Sequence, residues 1–76
     1  MNKARRKNLQ EILDIIDRAK ADLEELMGEE EEYRDNMPEN LQGSERYEKA
    51  EEACDALSEA IDYLDETLSY IETAME

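Results

Sequence analysis

The residues of this chain that could do chemistry are almost all carboxylates. After Lys49 there is no basic residue, while Glu51, Glu52, Asp55, Glu59, Asp62, Asp65, Glu66, Glu72 and Glu76 are all acidic. On a helix, Glu48, Glu51, Asp55, Asp62, Asp65, Glu72 and Glu76 fall along one line, and Glu45, Glu52, Glu59 and Glu66 run parallel to it. Neighbours at i,i+3 or i,i+4 would lie about 5–6 Å apart. Carboxylates become acids or bases when their surroundings separate their pKa values, and they bind metals when several converge. Neither condition is signalled. The chain has no histidine, and it has no glycine-rich phosphate loop, nucleophile elbow, EF-hand spacing or Glu-x-x-His pair. Glu30, alone on an otherwise apolar line, suits a register or pairing role better than that of a general base. The lone Cys54 fits a small core residue. No catalytic, cofactor-binding or metal-binding residue is therefore expected, and the chain does not read as an enzyme.

What remains is the field of the acids themselves. Like charges at i,i+4 weaken a helix, and solvated helices usually intersperse signs. A helix that tolerates this cost can use its charge to steer towards a basic partner. Glu48, Glu51, Asp55, Glu59, Asp62, Asp65, Glu66 and Glu72 are the candidate partner-binding acids. Their regular spacing resembles that of phosphates along a nucleic acid, so the face could occupy a nucleic-acid-binding cleft on another protein.

Composition narrows the setting. Nine basic and 23 acidic residues give a net charge of −14 over 76 residues. Such a chain is a poor direct ligand for nucleic acid, whose phosphates must be met by Lys and Arg. There is no apolar run long enough to span a bilayer and no signal-peptide core, so neither membrane insertion nor export is expected. A single cysteine allows no internal disulfide, and a core of this size supplies only a few kcal/mol. Oligomerisation or very regular helix packing must supply the rest.

The elements that carry the acids follow from apolar periodicity. Tyr47, Ala50, Cys54, Leu57, Ile61, Leu64, Leu68, Ile71 and Met75 repeat with alternating spacings of three and four, the mark of a long helix packed on another. A second such line runs through Leu9, Ile12, Ile16, Ala19, Leu23, Leu26, Glu30 and Tyr33, with Leu13, Ile15 and Met27 to its sides. Between them, Pro38 stops a helix and Ser44 is placed to cap one. The pattern predicts a single domain over residues 1–76: helix 1 at about 3–35, a loop at 36–44 and helix 2 at about 45–75. Gly28 could kink helix 1, Gly43 could supply a positive φ, and Arg34 could pair with Glu30. Residues 1–8 should fray or extend helix 1. The loop residues Met37 and Leu41 should fold back over Tyr33 and Tyr47. The fold class is all-α, an antiparallel, coiled-coil-like two-helix hairpin in which facing positions sum to about 80. The basic residues Lys3, Arg5, Arg6 and Lys7 should then lie beside Glu72 and Glu76.

Helix 2 carries a further stripe at the same spacing, Ala53, Ala56, Ala60, Tyr63, Thr67, Tyr70 and Ala74. Small residues permit close helix approach, and the tyrosines offer amphipathic contact area. We read it as a docking face for a target or for a second hairpin, completing a four-helix bundle as a homodimer.

The segment Tyr33-Arg34-Asp35-Asn36-Met37-Pro38-Glu39-Asn40-Leu41-Gln42-Gly43-Ser44-Glu45-Arg46-Tyr47-Glu48, between two charged helices, resembles small acidic helical proteins encoded by phages, prophages and other mobile elements of Firmicutes. That resemblance implies a setting, the cytoplasm of a bacterial host, and small phage proteins of this size often inhibit host proteins. The expectation is a non-enzymatic protein-binding module that inhibits a host defence or nucleic-acid-processing protein through an acidic, DNA-mimicking face. The alternative is a structural coiled-coil module of a phage or mobile-element assembly, in which the apolar stripe carries the affinity.

Overall fold

The computed structural model describes residues 1–76 and contains two long helices with no strand. Helix α1 spans Lys3–Asp35, a short 3-10 turn spans Glu39–Leu41, and helix α2 spans Glu45–Met75. The helices pack along one another as a rod with Cα extents of 59 × 15 × 12 Å.

Each boundary has a local cause. Asn2 caps α1: its Oδ1 accepts from the Arg5 N–H at 2.7 Å. The basic start therefore begins the helix in order, although Lys3, Arg5 and Arg6 sit at its positive end without a compensating acid in the first turn. At the other end, the Asn36 N–H still reaches the Glu32 carbonyl, and Pro38 then enforces an extended backbone at φ −57°, ψ 148°. Ser44 holds the restart. Its Oγ accepts from the Tyr47 N–H at 3.3 Å and donates to the Leu41 carbonyl at 2.6 Å, tying cap and turn together.

Both glycines behave more plainly than their type suggests. α1 runs unbroken through Gly28, so no early end occurs there. No residue, Gly43 included, adopts a positive φ. The 3-10 turn closes the loop through Leu41 N–H to Pro38 C=O and Gln42 N–H to Glu39 C=O, which needs no left-handed residue.

The core is thin. Only Leu13, Met37, Ala50, Cys54 and Ile61 are buried, with Ala50 at 2% exposure the most enclosed. Around them Leu9, Ile16, Leu23, Met27, Tyr47, Leu57, Leu64, Leu68, Ile71 and Met75 are half-buried. Met37 does fold under the hairpin end, whereas Leu41 stays 42% exposed.

On α2 the seam is the apolar line read from the sequence. On α1 it is not. The residues turned inward are Leu9, Leu13, Ile16, Lys20, Leu23, Met27, Glu30 and Arg34, while Ile12, Ala19, Leu26 and Tyr33 face outward. The two registers share Leu9, Ile16, Leu23 and Glu30 and differ only in which neighbour completes each heptad. The observed one buries Leu13 and Met27 and lays the methylene stems of Lys20 and Arg34 over the seam, with their charged ends reaching acids. Lys20 meets Asp65 and Glu24, and Arg34 meets Asp35. The antiparallel order is plain from the recesses between the helices: one joins Glu30 to Ala50 and another joins Leu13 to Leu68.

Candidate interaction surfaces

The change of register in α1 sorts the surface into two broad faces. Flanking the seam on one side are Gln10, Asp17, Glu24 and Glu31 of α1 and Glu51, Ser58, Asp65 and Glu72 of α2. Gln10, Asp14, Asp17 and Glu72 line a single groove floored by Leu13 and Leu68, which brings acids of both helices to one face. On the opposite side Ile12, Ala19, Leu26 and Tyr33 flank the seam from α1, and Ala53, Ala60, Thr67 and Ala74 flank it from α2. Ile15 lies next to the first set, and Ala56, Tyr63 and Tyr70 lie next to the second.

Every candidate acid of α2, Glu48, Glu51, Asp55, Glu59, Asp62, Asp65, Glu66 and Glu72, is exposed. Asp65 differs from the rest because the Lys20 amine of α1 reaches across the seam to its Oδ1. Lys20 also lies 3.6 Å from Glu24. The hydrogen bond to Asp65 is the main reason the Lys20 amine is held above its ordinary pKa, against the opposing cost of burial. One compensating cation thus does come to the acids of α2, supplied by the other helix. The other candidate acids make no ion pair.

Other expected pairings are not made. Arg34 donates from Nε to Asp35 at 2.9 Å instead of pairing with Glu30, and that hydrogen bond is the leading reason its pKa lies above the ordinary value. Lys3, Arg5, Arg6 and Lys7 make no ion pair with Glu72 or Glu76. Long, mobile side chains gain little by fixing one exposed partner.

Near the loop, Glu30, Tyr33, Glu45, Arg46, Lys49 and Ala50 line an open recess. Lys49 pairs with Glu45 on its own helix at 3.2 Å, so Glu30 sits among cations without an ion pair. No group of three or more His, Cys, Asp or Glu side chains is arranged to hold a metal ion. Cys54 is a free, buried thiol whose pKa is raised, first of all by desolvation. No helix is long and apolar enough to cross a membrane.

The stripe on α2 divides between core and surface. Ala53 and Ala60 are half-buried against the seam, while Ala56, Tyr63, Thr67 and Tyr70 are exposed. Tyr63 and Tyr70 are 64% and 76% exposed. The Thr67 hydroxyl donates to the Tyr63 carbonyl at 2.8 Å, so its methyl group is the part left to face a neighbour. Sequence reasoning missed that Ile12, Leu26 and Tyr33 of α1 share this face. The signal was present as the second heptad register open to α1.

Comparison with protein-family models, with characterised proteins and with solved structures finds no match to this chain.

Proposed function

We propose that this protein is a non-enzymatic protein-binding module whose acidic face occupies a basic, nucleic-acid-binding surface on another protein. The observation that carries this reading is the row of Asp55, Glu59, Asp62 and Glu66, fully presented on α2 and met by no cation. The groove formed by Gln10, Asp14, Asp17 and Glu72 extends negative charge onto α1. Clustered like charges cost helix stability, and a long-range field that draws in a basic partner is a use that offsets the cost. The resemblance of the loop segment to phage and mobile-element proteins supplies the setting: the target is a host defence or nucleic-acid-processing protein, and the effect is inhibition by competition. We propose further that the working form is a homodimer, a four-helix bundle, because the apolar face of each hairpin is uncovered in a single chain.

The test is capture of the target by the purified protein, followed by elution with salt and with duplex DNA. Release by both supports the mimic, because exposed charges are screened within about 10 Å at 0.1 M salt. Asp55→Lys, Asp62→Lys and Glu66→Lys together should abolish capture while circular dichroism shows unchanged helicity. Capture that survives the triple change would sink the acidic-face reading.

A second reading has its own observation. Ile15 and Leu26 are 68% and 54% exposed on the same face of the rod as Tyr63 and Tyr70. An assembly module pairing this face with a longer helical partner would hold that partner through high salt and ignore duplex DNA.

A further inference from the structure

We infer that the apolar face is the seat of a second copy of this chain, packed with α1 of each hairpin over α2 of the other and both loops at the same end of the bundle. The inference rests on the homodimer proposed above and adds its face, its packing and its direction.

The first argument is what α1 turns outward. Two heptad registers were open to it, and the one used in the hairpin puts Lys20 and Arg34 in the seam. The more apolar set, Ile12, Ala19, Leu26 and Tyr33, is left on the side where α2 presents Ala53 and Ala60. Each helix therefore has a seam plus one apolar flank, about three of every seven positions. That width suits a helix with two neighbours in a bundle and exceeds what a two-helix seam covers.

The second argument is charge. On a chain of net charge −14, this face bears only Arg5, Arg46 and Lys49 against Asp22 and Glu29, so it is the one broad face without an excess of acid. Two copies can meet there while their acidic faces point apart. On any other face they would repel.

The third argument is size and area. With facing positions summing to about 80, Leu26 of α1 lies level with Ala53 and Ala56 of α2, while Ile12 and Ile15 lie level with Tyr63, Thr67 and Tyr70. Leu26 fits over the small Ala53 and Ala56 when α1 lies on the partner's α2, which a two-fold axis along the rod produces. An axis across the rod would instead set α1 on the partner's α1, and Leu26 would not meet those alanines. The chosen axis also puts Glu29, next to the recess of Glu30 and Lys49, level with the partner's Lys49. A face 59 Å long and 15 Å wide offers on the order of 900 Å² per copy, against roughly 800 Å² per partner in a stable interface.

Sedimentation equilibrium of the full chain tests the dimer, and electron–electron distance measurement tests its direction. The expected mass is twice the 8.9 kDa of one chain. Ile15→Glu and Leu26→Glu, at side chains exposed in the lone hairpin, should each shift the dimer's dissociation constant upward by more than tenfold. Ser58→Glu, on the acidic face, should leave it within twofold. With Cys54→Ala and Gln42→Cys, spin labels on the two loops should lie far closer than the 59 Å length of the rod. A wild-type mass of one chain at all concentrations overturns the dimer and the packing with it. A dimer whose labels are separated by about the rod's length, or one indifferent to Ile15→Glu and Leu26→Glu, overturns the packing alone.

Discussion

Cys54 and Lys20 show how single residues report on the seam. Burial pushes the Cys54 thiol above its ordinary value of 9.0, and the hydrogen bond to Asp65 pushes the Lys20 amine above 10.5. In both cases the folded chain holds its proton more tightly than the unfolded chain. Their contributions to stability are therefore complete below those ordinary values and are lost as pH rises beyond them through the raised values of the folded chain. Urea unfolding between about pH 8 and about pH 11 should show midpoints that fall with pH. In Cys54→Ala the fall should begin later, leaving the portion that belongs to Lys20. An onset unchanged by that substitution would mean the thiol is not desolvated. That Cys54 is a core residue was legible from its place in the α2 line. The cross-helix approach of Lys20 was not, because no spacing within one helix announces a partner on the other.

At the scale of the helices, Gly28 is a removable weakness. It lies within α1 at an exposed site with an ordinary helical φ, and a methyl group added there meets nothing within 4 Å. Gly28→Ala should raise the unfolding free energy by about 1 kcal/mol, read as a higher thermal midpoint. A drop would show that the helix bends there in solution. The two helices and the break between them could be read from the chain because Pro38, Ser44 and the α2 repeat are local signals. The α1 seam could not. Leu9, Ile16, Leu23 and Glu30 serve either register, and apolarity alone favours Ile12 and Leu26 over Lys20 and Arg34. Which flank turns inward depends on α2, and on whatever covers the other side. The exposure of the α2 acids was readable for the opposite reason: no alternative register of that helix hides them.

For the whole molecule, the governing quantity is the charge of −14 spread over a thin rod. Self-repulsion disfavours the compact state and is screened by ions. Raising sodium chloride from about 0.02 M to about 0.5 M should therefore raise the thermal midpoint, although it weakens the Lys20–Asp65 pair. A midpoint that falls with salt would mean that the few ion pairs outweigh the repulsion. The same salt change should loosen a partner held by the acidic face, so stability and binding are expected to move in opposite directions.

The rod's proportions also govern how it drifts through liquid. Its radius of gyration is 17.4 Å, whereas a compact globule of this many residues would have roughly 11 Å. Friction follows shape as well as mass, so one hairpin would leave a sizing column early, at the position of a heavier sphere. An elution volume read against globular standards would name a pair where a single chain is present. Only a method indifferent to drag, such as light scattering or sedimentation at equilibrium, can count the chains.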